Sequence, residues 1–325
     1  MSDALFKAIG NDDADAIRAA LANGASLEAR TRQGLSPLAW ACLRSEPIAV
    51  RALLDAGAPV NVEAAPGQSL LGFAIFNSWK HKSVATLELL LDAGADVNGV
   101  EDGGLTPLHQ AALLGPYPED SVRSARLLLK RGAVVDARDE NGQTPLHIAV
   151  GTIAEETVDA LLAAGADPNA RDEEGGTPLT IAIQVFRAMT DGGMDPDEAA
   201  LVQVHHVPRL LAAGADPHAA DANGARPLHH ALRHKGYPED VISALLKAGA
   251  DPSLPISING KPMLPLTMAY LKDFSTAVLL ELIDHGADPD APIAQQPAGE
   301  SLFEVARRKK PELALAIEQH RASKK

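Results

Sequence analysis

Asp139-Glu140-Asn141-Gly142-Gln143-Thr144-Pro145-Leu146-His147-Ile148-Ala149, closed further on by Gly165-Ala166-Asp167-Pro168-Asn169, decides how this chain folds. A threonine such as Thr144 caps a helix by accepting a backbone N–H, and the φ of Pro145 suits the first helical position. Leu146 then anchors the new helix in a core. Gly142 stands where a tight turn needs a residue without Cβ. Val158-Asp159-Ala160-Leu161-Leu162-Ala163-Ala164 reads as a second, amphipathic helix, and Gly165 supplies the left-handed residue that ends it. One repeat is therefore turn, short helix, connector, longer helix and Gly-terminated loop.

The repeat recurs along almost the whole chain. Gly-Ala returns at Gly24, Gly57, Gly94, Gly132, Gly165, Gly214, Gly249 and Gly286, at spacings of 33, 37, 38, 33, 49, 35 and 37 residues. The helix-start signature returns as Thr106-Pro107-Leu108-His109 and Thr177-Pro178-Leu179-Thr180, and more weakly as Ser36-Pro37-Leu38-Ala39 and Arg226-Pro227-Leu228-His229. Such a chain grows by stacking and not by enlarging one core, so 325 residues need not mean two ordinary domains. The 46% hydrophobic content excludes disorder, and with only 3% aromatic residues the interfaces must be filled by Ala and Leu.

This pattern closely resembles the ankyrin repeat, a two-helix unit carrying T-P-L-H-x-A. The resemblance implies an all-α fold, an ankyrin-repeat solenoid of stacked antiparallel helix pairs with hairpin-like connecting turns. Residues 1–325 are expected to form a single domain: an N-terminal capping half-repeat over 1–30, internal repeats over 31–298, and a C-terminal capping repeat over 299–325. The pattern frays at Gln68-Ser69-Leu70-Leu71, which lacks both Pro and His, and before Leu264-Pro265-Leu266-Thr267, where extra residues intervene.

The resemblance also implies that partners bind the turns and the exposed side of the short helices. Those positions are Arg32, Leu35, Leu43 and Arg44 in the first full repeat, then Phe76 with Trp79 close by, then Leu105, Leu113 and Leu114. Glu140, Asn141, Glu173 and Glu174 follow in the next two, and Arg233 and His234 in the sixth. Leu35, Leu43, Phe76, Trp79, Leu105, Leu113 and Leu114 form either an apolar interface patch or a surface that long connectors cover. The acidic residues are either a rim that steers a basic partner or solvated turn tips.

Two departures from the period stand out. The 49-residue interval holds an insertion around 187–200 that breaks at Gly192-Gly193, either a neutral loop extension or a protrusion toward a partner. Tyr117-Pro118-Glu119-Asp120 returns as Tyr237-Pro238-Glu239-Asp240, through block duplication or because Tyr117 and Tyr237 mark a contact face.

Charge narrows the partner. A formal net charge of -14 repels phosphate backbones and anionic lipids, so a protein partner, and a basic one, is expected instead of nucleic acid or membrane. The single cysteine, Cys42, fits a reducing compartment, and without a signal-like or spanning segment a cytoplasmic monomer is the expectation. No cofactor or metal is expected. His109, His147 and His229 each occupy the fourth place of the start signature, where an imidazole can tie neighbouring turns together. His230 and His234 have the spacing of a two-histidine metal grip, but no third ligand is evident. The residues thus point to a non-enzymatic protein-binding module, with an inhibitor or immunity-type protein as its sharper form and a structural spacer or a metal-dependent enzyme as alternatives.

Overall fold

A computed structural model describes residues 2–78, 84–115, 117–195, 206–293 and 299–324. They gather into two compact units, Met1–Asp167 and Pro168–Lys325. The first contains α1 (Ser2–Gly10), α2 (Ala14–Ala22), α3 (Pro37–Arg44), α4 (Pro47–Asp55), β1 (Glu63–Ala65) and β2 (Gln68–Ser69). It continues through α5 (Leu70–Ser78), α6 (Ala85–Asp92), α7 (Pro107–Leu113), α8 (Pro118–Lys130), α9 (Pro145–Gly151) and α10 (Glu155–Ala163). The second contains α11 (Pro178–Asp191), the described part of α12 (206–212), α13 (Pro227–Leu232) and α14 (Glu239–Lys247). β3 (Ile256–Ile258), β4 (Lys261–Met263), α15 (Pro265–Leu271), α16 (Thr276–Asp284), α17 (Leu302–Lys309) and α18 (Pro311–Ser323) complete it.

Within each unit, short inner helices pack on inner helices and longer outer helices on outer ones. α3 contacts α5, α5 contacts α7, and α2 contacts α4 in the first unit, while α13 contacts α15 and α14 contacts α16 in the second. The fold is an all-α ankyrin-type stack. The opening segment, expected as half a repeat, folds as the complete helix pair α1–α2, because Asp13 caps α2 by accepting from the Ala16 N–H. The two places where the pattern frays are where strands form. β1 pairs with β2 across the turn before α5, and β3 pairs with β4 before α15.

The histidine of the start signature lies at the centre of each well-formed repeat. His109 Nδ1 accepts the Thr106 N–H at 3.1 Å, which leaves Nε2 to donate to the Gln143 carbonyl of the next turn at 3.1 Å. His229 repeats the arrangement, accepting from the Arg226 N–H at 3.0 Å and donating to the Leu254 carbonyl at 2.9 Å. Both rings are buried, and burial holds their pKa values below the ordinary imidazole value. A second tie links the Gly-terminated loops. The Asn61 side chain donates to the Gly94 carbonyl and accepts from the Asp96 N–H, both at 2.9 Å. Asn169 does the same to Gly214 and Asp216. A side-chain amide, with one donor and one acceptor, satisfies two backbone groups that the helix ends leave open.

Candidate functional site on the inner helices

In every full repeat the core leucine sets the register for the inner helix. Five residues past it come Leu43, Phe76, Leu113 and Gly151 in the first unit, and Gln184, Arg233, Leu271 and Arg307 in the second. At this position the side chain points away from the outer helix, so packing does not prescribe its type. Phe76 is 54% exposed and Leu113 42% exposed, on the adjacent helices α5 and α7, with Leu43 half-buried on α3 beside them. Tyr117 is also exposed, just beyond α7. Side chains this large lying open on neighbouring helices make an apolar row.

Several expected contact residues are not available. Leu35 and Leu114 are buried, because Leu35 closes its turn by accepting the Thr31 N–H and Leu114 tucks into the end of α7. Tyr237 is buried where its sequence twin Tyr117 is open. Its ring meets Phe186 edge-on at a centroid distance of 4.9 Å, and burial raises its hydroxyl pKa. The 14-residue α11 carries Phe186 two residues beyond the end of a seven-residue inner helix such as α9, which explains the difference. Leu105 is half-buried. Arg44 is half-buried too, donating to the Gly10 carbonyl at 3.2 Å and lying 5.8 Å from the Trp40 ring centre. Trp79 and residues 196–200 of the insertion lie outside the described residues. Arg32, Glu140, Asn141, Glu173 and Glu174 are exposed at turn tips.

The second unit has a different inner surface. An open cavity of about 460 Å³ runs along α11 and α13 beneath the turns that carry Asp172 and Asp221. Arg233 and His234, half-buried, line it together with Gln184 and Arg187. His230 Nε2 meets an Asp221 carboxylate oxygen at 2.9 Å, with both side chains about nine-tenths buried. Burial holds the His230 pKa below its ordinary value despite the opposing pull of Asp221. Sequence reasoning missed this pair. The signal was present, since Asp221 and Glu101 occupy the same turn position, and Glu101 likewise accepts from Gln110, the counterpart of His230, at 3.0 Å. Among the described residues no three His, Cys, Asp or Glu side chains gather where they could hold a metal. No helix among them is long and apolar enough to cross a membrane.

A family model of three ankyrin-repeat copies matches residues 71–172 and 120–191, and a single ankyrin-repeat model matches 223–255. The chain is an ankyrin-repeat protein. Among solved structures it is similar to the ankyrin repeat domain of Bcl-3, described as a unique member of the IkappaB protein family. That likeness has a TM-score of 0.59 and 28% identity, covering 74% of this chain and 97% of the other. It is also 32% identical over 108 residues to a protein of Rickettsia bellii named for ankyrin repeats, covering 32% of this chain. A protein of Arabidopsis thaliana named as an E3 ubiquitin-protein ligase is 32% identical over 112 residues, covering 34% of this chain. The chain spans 15% and 24% of the length of these two relatives. Ankyrin repeats are generally protein-interaction modules, and the repeats of this chain make it one.

Proposed function

We propose that this ankyrin-repeat protein recognises a protein partner through its inner-helix face and turns, and that it acts as an inhibitor or immunity-type protein of a partner with net positive charge. The observation that supports recognition is the exposed row of Phe76 and Leu113 on adjacent inner helices, since large apolar side chains left open in this way are the usual centres of protein interfaces. The net charge of -14 supports a basic partner, because it raises the local concentration of cationic surfaces at long range.

Affinity capture from lysate of the source cells, with wild-type protein beside the Phe76→Asp, Leu113→Asp variant, tests the reading. A stoichiometric protein retained by the wild type and lost by the variant is expected, with an association rate that falls as salt is raised. The absence of any stoichiometric protein would instead favour a structural spacer. A salt-independent association rate would remove the basic-partner reading alone.

A further inference from the structure

One end of the groove in the second unit is cationic and apolar, in a chain of net negative charge. Next to the cavity along α11 and α13 lies another of about 580 Å³, and Arg187, Arg233 and His234 line both. Beyond that shared strip the second cavity is walled by Ile258 and Met263 of the β3–β4 hairpin, Met268 and Leu271 of α15, and Lys272. Leu271 is 54% exposed, whereas Met268 is buried and forms a floor. Among the described residues neither Arg233 nor Lys272 has an ion-pair partner, while Arg187 is tied to Asp191 at 3.1 Å. His234 feels this concentration of charge. Burial first, and then Arg187, Lys272 and Arg233 against the opposing pull of Asp191, hold its pKa below the ordinary value, so it offers a neutral N–H donor at pH 7.

We infer that this groove binds an acidic-aliphatic peptide segment of a protein partner, its carboxylate received by Arg233 and Lys272 and its aliphatic side chain laid against Leu271 and Met263. The assignment rests on the protein-recognition reading above and names the chemistry of one contact within it. Charge complementarity selects the carboxylate, since two cations without counter-ions beside an apolar wall are satisfied by an anion whose neighbour is apolar. The other end of the groove limits the charge of the occupant. Asp172, Glu174, Asp191 and Asp221 line the first cavity, so a run of phosphates along the whole groove would meet four carboxylates. A short acidic segment that keeps to the Lys272 end avoids them.

The test uses the full chain with methyl-13C methionine, in which Met263 and Met268 report from the second cavity. The probe is the synthetic peptide Gly-Ser-Leu-Asp-Glu-Leu-Leu-Ser-Gly, compared with its Asn/Gln analogue and with a form carrying phosphoserine at both acidic positions. The acidic peptide is expected to shift the Met263 and Met268 methyl signals. The neutral analogue, and the Lys272→Gln and Arg233→Gln variants, should each weaken binding by about tenfold. Lys272 is exposed, so its variant serves even if Arg233→Gln disturbs folding. Unshifted methyls at millimolar peptide, equal affinity for the neutral analogue, or binding of the phosphorylated form alone would each overturn the inference. If the peptide fails while Phe76→Asp, Leu113→Asp still abolishes capture of a stoichiometric partner, the protein-recognition reading stands and only the chemical assignment falls.

Discussion

Replacing Glu101 probes how one imperfect repeat is repaired by its neighbour. The repeat at α5 lacks the Thr-Pro-Leu-His start, and Ser69 caps α5 instead, accepting the Gly72 N–H at 3.0 Å. Glu101, from the turn of the following repeat, holds that serine. One carboxylate oxygen accepts the Ser69 N–H at 2.9 Å and the Ser69 hydroxyl, and the other accepts from Gln110 Nε2 at 3.0 Å. Glu101 is 9% exposed, so water does not replace these bonds easily. Hydrogen bonds to a charged group are each worth about 1.5–3 kcal/mol net, and relief from carboxylate desolvation offsets part of the sum. Glu101→Ala is therefore expected to destabilise the first unit by about 2–4 kcal/mol. In Glu101→Gln the new oxygen still accepts both Ser69 donors, and Gln110 can turn its own amide oxygen toward the new NH2, so the cost should stay below about 1 kcal/mol. Both tryptophans, Trp40 and Trp79, precede residue 167, so urea unfolding followed by tryptophan fluorescence reports on that part of the chain. With a slope of about 2 kcal/mol per molar urea, Glu101→Ala should lower the midpoint by about 1–2 M. A Gln variant as damaging as the Ala variant would refute the hydrogen-bond argument, and an Ala variant costing less than about 0.5 kcal/mol would refute the anchor itself.

Phe76→Ala with Leu113→Ala should weaken partner binding by about tenfold or more with an unchanged helical circular dichroism signal, since both side chains are largely open in the free chain; equal affinity of the variant for the captured partner would count against the apolar row. Ile153 has φ 64, a conformation that suits Asn or Gly and strains a β-branched residue, so Ile153→Asn should raise thermal stability by about 0.5–1 kcal/mol in calorimetry. At Gly115 a Cβ would lie 2.3 Å from the Thr152 carbonyl oxygen, so Gly115→Ala should lower the urea midpoint by an amount equal to about 1–3 kcal/mol. The pKa values of His109, His229 and His230 are held below the ordinary value in the fold, so unfolding takes up protons. Stability should therefore be full above about pH 6.5 and fall as pH drops through the depressed values, and an unchanged urea midpoint between pH 7.5 and 5.5 would contradict this.

The helix pairs were legible because each boundary carries its own chemistry. Thr144-Pro145 starts α9, Pro118 starts α8, and Gly165 at φ 89 follows the end of α10. The fate of individual surface positions was not legible, because it depends on neighbours at long sequence separation. Leu114 and Leu113 are adjacent in sequence and equally apolar, yet only the rotation of α7 against its neighbours decides that Leu113 faces out and Leu114 in. The identical Tyr-Pro-Glu-Asp segments make the same point. Tyr237 has Phe186 to pack against because α11 is 14 residues long, whereas Tyr117 is left open. Likewise, the β-ladders form where the usual turn is altered. Where Pro and His were absent, backbone pairing between β1 and β2 and the Ser69–Glu101 bonds satisfy the polar groups that the usual start would have satisfied.

Net charge and groove chemistry point to partners of opposite sign, and distance reconciles them. The charge of -14 acts on an approaching partner as a summed field that fades over about one Debye length, roughly 8 Å in physiological salt. Within the groove the occupant sits nearer to Arg233 and Lys272 than that length, so these side chains act on it individually. A basic protein that presents one acidic-aliphatic segment satisfies both ranges, since its overall field speeds encounter while its segment sets the docked register. The two contributions separate in kinetics. Salt should act mainly on the association rate, and Lys272→Gln mainly on the dissociation rate. A Lys272→Gln variant that alters association alone would mean that Lys272 belongs to the outer field and not to the docked contact.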